Sequence, residues 1–361
     1  MNKTDLGYLL ALVRFPKFGG ARIGKLRNFF PSMKDAFNAS REDLLRASIK
    51  PSVVEAFLIE REHLNPKKEL ALLDEHEVTA IDFDDPSYPT LLKEIYDPPA
   101  VLLVRGELPD DTLPHLAVVG SRKFTDYGRR SVEHLVTPIA DQAVIVSGLA
   151  IGIDAFAHEA ALRSVGPTIA VLGSGVDRDN IYPSQNRALA SRIIAGGGAI
   201  ISEFPIGTHP LKQHFPFRNR IIAGLCHATL IVEAGEKSGT LITARLSLEH
   251  NREVCAVPGP IDSPMSIGAN ALIKDGAIPV TSAEDLQNIL GLAANAVKNS
   301  SYVPDSKSEK DLFELLSGDP IHVDELTKKM QLPTQTISTT LTIMEMRGGA
   351  RHVGGLYYVR G

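Results

Sequence analysis

Five groups of glycine, hydroxyl-bearing and arginine residues are assigned to predicted strand ends, and such residues bind phosphate. Amides beside glycine approach an anion closely, hydroxyls donate hydrogen bonds, and guanidinium groups bind phosphate oxygens in pairs. The groups are Gly120-Ser121-Arg122, 147–154 (SGLAIGID), 173–177 (GSGVD), 214–220 (HFPFRNR) and 233–240 (EAGEKSGT). Their shared chemistry is anion binding.

The group at 233–240 has the clearest local context. It follows the apolar run 228–232, and Ser238-Gly239-Thr240 opens a predicted helix. The amides of a helix N-terminus are unpaired and carry a partial positive charge, so they attract anions. An ordinary capped turn between a strand and a helix would have the same sequence, so this group alone does not decide between the two interpretations.

Motifs of common nucleotide-dependent and hydrolytic enzymes are absent from the sequence. It contains no G-x-x-x-x-G-K-[ST], no G-x-G-x-x-G after the first strand of the main domain, no H-E-x-x-H and no G-x-S-x-G. No pair of acidic residues stands out as an acid–base couple. We therefore expect an anion-binding protein with no catalytic residue, no metal site and no cofactor.

The elements that position these groups alternate between strands and helices. Predicted strands at 116–119, 144–146, 169–172, 199–201, 230–232 and 254–257 are separated by helical patterns. This alternation is typical of parallel βαβ units and predicts an α/β fold with a Rossmann-like, doubly wound sheet over 67–290. Such sheets bind ligands at the carboxyl ends of their strands, where the five groups would meet.

Smaller regions flank this domain. Residues 1–66 predict a small helical domain of the SAM or helix-hairpin-helix kind. Its glycine-rich segment 18–26 is either a phosphate clamp or a turn in a helical bundle. Residues 67–112 carry 12 acidic and 4 basic side chains and predict a connector with one or two strands. Residues 291–308 predict a linker.

Residues 309–361 predict a winged helix, with three helices and a hairpin that turns at Gly354-Gly355. The helix expected to read DNA, 334–346, contains no Lys or Arg. Since a DNA-reading helix normally carries basic residues, a protein-binding or regulatory role is favoured.

The amino-acid composition further limits the classes of protein to which the chain could belong. The formal net charge is −5, so a nucleic-acid site would have to be a local basic cluster. The two cysteines, Cys226 and Cys255, have no metal-binding spacing, which indicates a reduced cytoplasm. Neither a signal peptide nor an apolar run long enough for a membrane span is recognisable.

Seven motifs in series give the chain a strong resemblance to the bacterial DNA-processing family DprA, also called Smf. They are 119–122 (VGSR), 147–154, 169–173 (IAVLG), 215–224 (FPFRNRIIAG), 233–244, 256–259 (AVPG) and 268–273 (GANALI). The resemblance implies a non-catalytic protein that binds single-stranded DNA. It would protect incoming strands during natural transformation and load the RecA recombinase onto them. It also implies a homodimer formed through the Rossmann-like domain.

The resemblance and the residue chemistry together give a candidate site for DNA or phosphate. Arg122 would contact the DNA backbone, and the 147–152 loop would line the groove. Where many members have a basic residue in that loop, this chain has Ile151, and Lys123 or Lys212 are candidate substitutes. Phe156 or Phe217 would stack on bases. The full candidate set is Gly120, Ser121, Arg122, Lys123, Ser147, Gly148, Gly152, Phe156, Lys212, Arg218, Asn219, Arg220, Lys237, Ser238, Gly239 and Thr240.

Two other functions remain open. Related folds with a Gly-Thr-rich turn cleave nucleotides at the N-glycosidic bond, and Glu233 would then be the general base or stabilising carboxylate. A pure interaction scaffold is the other alternative. The role of Glu233 is itself open, because a carboxylate is a poor neighbour for phosphate. It would orient Arg218, Arg220 or Lys237, or recognise a base edge.

Overall fold

A computed structural model describes residues 1–292, 304–317, 320–347 and 349–360. The chain divides into two compact units, 1–292 and 293–361. Most of the predicted linker, residues 293–303, lies outside the described residues. No described helix is long and apolar enough to cross a membrane.

The first part of the larger unit is a bundle of short helices, as predicted. The helices are α1 (Lys3–Arg14), α2 (Gly20–Phe29), α3 (Met33–Asn38), α4 (Arg41–Arg46), α5 (Pro51–Glu60) and α6 (Pro66–His76). The bundle thus continues to residue 76, ten residues beyond the predicted boundary. Its core joins that of the sheet, because Phe57 and Leu26 belong to the same apolar cluster as Leu103 of the sheet.

The glycine-rich segment 18–26 forms the start of α2 and packs against the protein itself. Gly20 lies against the backbone of Pro98. The amide of Ala21, in the first turn of α2, donates to Asp97 Oδ1 at 3.1 Å. A carboxylate of the same chain therefore occupies the helix N-terminus that the sequence suggested as a phosphate clamp.

The acidic region 67–112 was predicted as a connector with one or two strands, and it does contain two strands. It contributes β1 (Thr79–Asp82), α7 (Thr90–Lys93) and β2 (Val101–Gly106), and both strands belong to the central sheet. The first four residues of β2 are buried, so this strand is part of the core. Its acidic neighbours bind basic residues of the bundle: Arg27 pairs with Asp82 and Asp84.

The rest of the larger unit alternates strands and helices, which confirms the predicted doubly wound α/β fold. The strands are β3 (His115–Val119), β4 (Val144–Ser147), β5 (Thr168–Val171), β6 (Ala199–Ser202), β7 (Ala228–Ile231), β8 (Glu253–Ala256) and β9 (Ile278–Pro279). The helices are α8 (Asp126–Val136), α9 (Ile153–Arg163), α10 (Arg187–Ala195), α11 (His214–Gly224), α12 (Thr240–Glu249), α13 (Ile267–Lys274) and α14 (Ala283–Leu290).

The nine-stranded sheet has the order β1-β2-β6-β5-β4-β3-β7-β8-β9. From β6 to β9 neighbouring strands are parallel, while β1 and β2 form an antiparallel edge. The chain runs outward from β3 to β6 and then returns to place β7 on the other side of β3. The strand order therefore reverses at β3 and β7, where a doubly wound sheet opens a crevice at its carboxyl edge.

The smaller unit has the predicted winged-helix elements: α15 (Lys307–Leu315), β10 (Ile321–His322), α16 (Val323–Met330), α17 (Thr334–Met346), β11 (Ala350–Gly354) and β12 (Tyr357–Arg360). Leu312, Leu326, Ile337 and Leu341 form its buried core. The exposed face of α17 carries uncharged polar side chains such as Thr339 and Thr342, whose hydroxyls donate to the helix's own carbonyl oxygens.

Candidate functional site

A groove of about 540 Å³ lies where the strand order reverses. Three segments line most of it: the end of β3 and its following loop, the first half of α11, and the first turn of α12. Ten of the predicted site residues meet here: Gly120, Ser121, Arg122, Lys123, Lys212, Arg218, Asn219, Ser238, Gly239 and Thr240. Four of the five groups predicted to meet therefore converge here, whereas the group 173–177 does not line the groove.

The loop after β3 presents two basic side chains to the groove. Gly120 must be glycine, because a Cβ there would lie 2.6 Å from Ile153. Ser121 Oγ accepts the amide of Lys123 at 3.0 Å, which fixes the turn. Arg122 and Lys123 are exposed, and within the described ranges neither has an ion-pair partner. The Arg122 guanidinium lies over the Phe215 ring, 5.5 Å from its centroid.

The loop between β4 and α9 supports the groove from beneath. Ser147 is fully buried, and its hydroxyl donates to the carbonyl of Val118 at 2.6 Å. Gly152 has a φ of +90° beside the Ser121 carbonyl, so it needs to be glycine. Asp154 Oδ2 accepts the amides of Gly148 and Ala150 at 3.1 and 3.4 Å. Ser147 and Gly152 therefore shape the loop without lining the groove.

Arg218 is the most buried cation of the groove, with 4% of its surface exposed. Its Nη1 donates to the carbonyl of Gly148 at 3.0 Å. Burial lowers its pKa to about 10, with Arg122 acting in the same direction and Asp154 opposing it. The guanidinium is therefore still charged at neutral pH.

Arg220 points away from the groove. Its Nη2 donates to Glu203 Oε2 at 2.6 Å, its Nε lies 3.7 Å from Asp97, and its guanidinium stacks on Phe217 at 4.3 Å. Helical periodicity explains the difference from Arg218, because residues two apart on a helix face different directions. The sequence analysis expected both arginines to reach one groove at the carboxyl edge of the sheet.

The start of α12 forms the opposite side of the groove. Ser238 Oγ accepts the amide of Thr240 at 3.2 Å and donates to the Thr240 hydroxyl at 2.9 Å. Nothing lies within 4 Å of where a Cβ of Gly239 would be, so a ligand can approach its backbone. Lys237 is exposed but lies outside the groove lining.

Glu233 takes part in a contact that the sequence did not suggest. Its side chain accepts the Thr125 amide at 3.0 Å and the Thr125 hydroxyl at 2.5 Å, and only 2% of the residue is exposed. Thr125 is the N-cap of α8. Glu233 thus fastens the start of α8 to the end of β7, and it bonds none of the three basic residues it was expected to orient.

The aromatic side chains of the groove are Phe215 and Tyr182, whose rings lie 5.6 Å apart. The sequence pointed instead to Phe156 and Phe217. Phe156 packs edge-on against Phe124 at 4.7 Å, and neither Phe156 nor Phe217 lines the groove. The sequence feature that could have identified Phe215 as a groove residue is its position in the 214–220 motif, one residue before Pro216.

A second, smaller cavity of about 40 Å³ adjoins the groove. Gly148, Ile151, Tyr182 and Phe215 are among its lining residues. Ile151, at the position where many family members carry a basic residue, is 42% exposed. Its two candidate substitutes, Lys123 and Lys212, both line the main groove.

The charge balance of the groove is positive. Arg122, Lys123, Lys212 and Arg218 line it together with a single carboxylate, that of Asp154. Burial raises the pKa of Asp154, while Arg218 and Arg122 oppose the shift. Throughout the described residues, no three His, Cys, Asp or Glu side chains cluster in a way that could hold a metal ion. The arrangement is suited to a phosphate-bearing chain.

Both units match known protein families. The family described as DNA recombination-mediator protein A matches residues 79–291, and the DprA winged helix domain matches residues 293–355. Protein Smf of Escherichia coli K12 is 43% identical over 286 residues, or 77% of this chain and 76% of that protein. DNA processing protein DprA of Streptococcus pneumoniae R6 is 46% identical over 202 residues, or 56% of this chain and 71% of that protein.

Solved structures agree with the sequence matches. DprA from Streptococcus pneumoniae superimposes with a TM-score of 0.66 and 35% identity over 78% of this chain and 97% of that one. DprA from Helicobacter pylori, described as having a unique single-stranded DNA binding mode, gives a TM-score of 0.52 and 30% identity over 59% and 95%. With both units matched in order and the motifs gathered at one groove, the chain belongs to the DprA/Smf family of DNA-processing proteins.

Proposed function

We propose that this protein binds single-stranded DNA in the groove between β3 and α12, without cleaving it. The observation that carries the proposal is the convergence of four basic side chains from separate segments on a groove with one carboxylate. Arg122 and Lys123 are exposed and free of ion pairs among the described residues, so they are available to phosphates. The Helicobacter pylori relative is described as a single-stranded DNA binder, which supports the same substrate here.

Two interactions would give the groove its affinity for a single strand: contacts with phosphates and stacking of bases. Each phosphate that a basic side chain neutralises releases counterions, so affinity falls with salt by a slope of about −0.7 per contact for a single strand. A flexible strand also exposes base faces, and stacking on an aromatic ring contributes about 1–3 kcal/mol per base. Phe215 and Tyr182 are the rings placed for this, whereas Phe156 packs on Phe124 and the Phe217 ring lies under the Arg220 guanidinium.

The direct test uses a labelled oligonucleotide and fluorescence anisotropy at several salt concentrations. We expect tighter binding of a single strand than of the corresponding duplex. Arg122→Ala should weaken binding and reduce the salt slope by about one unit. Arg192→Ala is the matched control: it also removes one exposed charge, but from the end of α10 that precedes β6, at the amino edge of the sheet. Equal affinities of Arg122→Ala and Arg192→Ala would contradict the assignment.

Membership of the family supports a proposal for the biological role. We infer that the protein protects incoming strands in the cytoplasm during natural transformation, forms a homodimer through the Rossmann-like domain, and loads RecA onto the bound strand. Light scattering should give twice the mass of one chain. RecA filaments should form faster on DNA carrying this protein than on bare DNA, and faster than on DNA mixed with Arg122→Ala.

The alternative, an N-glycosidic hydrolase, needs a free carboxylate at Glu233. Both Glu233 oxygens instead accept hydrogen bonds from Thr125, and Glu233 does not line the groove. This contact favours the binding function. Incubation with nucleoside monophosphates should release no free base.

A further inference from the structure

A third cavity, of about 260 Å³, opens at the carboxyl edge of the sheet, apart from the groove. Helix α8 forms one side of it. The segments that follow β8 and β9, Val257-Pro258 and Val280-Thr281, form the other. Ligands of doubly wound sheets bind along this edge. The cavity is therefore placed where a chain leaving the groove could continue.

Two basic side chains of α8 line this cavity. Arg130 and His134 are four residues apart, so they lie above one another on the same helical face. Both are exposed. The spacing places an arginine fork and an imidazole N–H on one surface, and both groups donate hydrogen bonds to phosphate oxygens.

The acidic residues nearby are engaged with other partners. Asp126 pairs with Arg129 at 3.4 Å, and Glu133 pairs with Arg163 at 3.4 Å. Asp285 Oδ2 accepts the amides of Thr281 and Ser282 at 2.7 and 2.9 Å. Within the described part of the chain, Arg130 and His134 have no carboxylate at ion-pair distance. Their donors are therefore available to an anion from outside.

An aromatic ring completes the surface. Tyr127 lies one turn before Arg130 and Ser131 on α8, lines the cavity and is 37% exposed. Its hydroxyl donates to the carbonyl of Pro258 at 2.6 Å, which holds the ring upright between α8 and the segment after β8. A fixed, half-exposed ring beside basic side chains is the combination that binds single-stranded nucleic acid.

The groove and this cavity are joined by a short segment. Lys123 of the groove lies two residues before Thr125, the N-cap of α8, and Arg130 lies only about 6 Å of helix rise beyond Asp126. The two sites lie on opposite layers of the sheet but share its carboxyl edge. A strand leaving the groove at Lys123 would cross the start of α8 to reach Tyr127.

We propose that Arg130, His134 and Tyr127 form a second phosphate-binding subsite, which holds the part of a single strand that extends beyond the groove. This rests on the proposed function of the groove. It predicts a length dependence: a short oligonucleotide occupies the groove alone, and a long one also contacts α8.

The test compares oligothymidylates of about 6 and about 25 nucleotides by anisotropy and salt titration. Arg130→Ala with His134→Ala should weaken binding of the long oligonucleotide about threefold or more and reduce its salt slope by about one unit. Binding of the short one should not change. Arg129→Ala is the matched control, because it removes the neighbouring charge, which is already paired with Asp126.

Three outcomes would overturn the proposal. The double variant could bind the long oligonucleotide as tightly as the unchanged protein does, which removes the second subsite and leaves the groove intact. It could lose short and long binding equally, which assigns the effect to general electrostatics. Alternatively, polyglutamate could bind in an Arg130-dependent way while long-oligonucleotide binding is unaffected, which makes the surface a docking site for an acidic protein. If the unchanged protein bound neither oligonucleotide, the proposed function itself would fail.

Discussion

Arg218 donates from Nη1 to the carbonyl oxygen of Gly148 at 3.0 Å, which ties α11 to the loop after β4. Asp154 accepts the amide of the same glycine, so the peptide groups on both sides of Gly148 are held. The fit is close, because a Cβ at Gly148 would lie 2.5 Å from Arg218 Nη2. A buried arginine thus positions the loop and keeps its remaining donors at the groove.

Arg218→Lys should therefore reduce single-strand affinity although it keeps the charge. A lysine ammonium lacks the planar fork that reaches Gly148 and the groove together. Loss of a hydrogen bond from a charged group costs about 1.5–3 kcal/mol, so we expect about a tenfold weaker complex or more. Arg122→Lys is the control, since Arg122 is exposed and needs little more than its charge. Similar affinities of the two variants would show that charge alone matters at position 218.

Glu233→Gln should destabilise the protein without affecting DNA binding. The amide side chain keeps the shape, but its NH₂ group faces one of the two Thr125 donors, so one buried bond is lost. We expect a loss of about 1–3 kcal/mol in the free energy of unfolding, measured with urea. The affinity of the folded variant should be unchanged.

Thr125→Val is the partner variant for this test. It removes the hydroxyl bond to the same carboxylate and should lower the free energy of unfolding by a similar amount. If Glu233 recognised a base, Glu233→Gln would change affinity while Thr125→Val would not. That result would contradict a structural role.

The sequence predicted most of the sheet and the place of the groove. Strand and helix periodicities differ clearly in α/β proteins, and the strand-end rule gathers glycine and arginine motifs at one edge. The end of β3 and the start of α12 are local features, so Arg122 and Ser238 could be placed from sequence. For the acidic region 67–112 the sequence predicted one or two strands, but it could not show that β2 pairs with β6, because the paired residues, such as Leu103 and Ser202, are far apart in the chain.

The directions of side chains were the other feature that the sequence could not predict. Arg218 and Arg220 are equivalent in sequence, but the helix turns one to the groove and the other to Glu203. Glu233 could not be assigned either, because its partner Thr125 is 108 residues earlier. Contacts of this kind depend on the packing of α8 and α11 on the sheet, so the neighbouring sequence does not indicate them.

Arg220→Met should destabilise the fold while leaving the salt dependence of DNA binding unchanged. Arg220 and Glu203 form a buried pair, and burial raises the pKa of Glu203 although Arg220 opposes this shift. Removing one partner of a buried pair costs about 3–5 kcal/mol because the other charge is left uncompensated. Replacing both, as Arg220→Met with Glu203→Leu, should cost less than Arg220→Met alone. A reduced salt slope in Arg220→Met would instead assign Arg220 to the DNA site.

His158 should make stability fall on acidification. Its Nδ1 lies 2.7 Å from the Thr168 hydroxyl, which itself donates to the Ile145 carbonyl, so Nδ1 must carry the proton. Nε2 is buried and has no partner among the described residues. Protonation would bury an unpaired charge, and this burial, with a smaller effect from Arg218, lowers the pKa to about 3.

The sign follows from proton binding. Between the unfolded pKa of about 6.5 and the folded pKa, the unfolded chain binds one more proton at this site. The free energy of unfolding should therefore fall as pH drops from about 6.5 towards 3, by up to about 1.4 kcal/mol per pH unit, with no contribution above that range. Urea unfolding across this range should show a shallower dependence for His158→Gln. His134→Gln, a substitution of an exposed histidine, should leave the pH dependence of the free energy of unfolding as it is in the unchanged protein. Equal slopes for all three proteins would contradict the assignment.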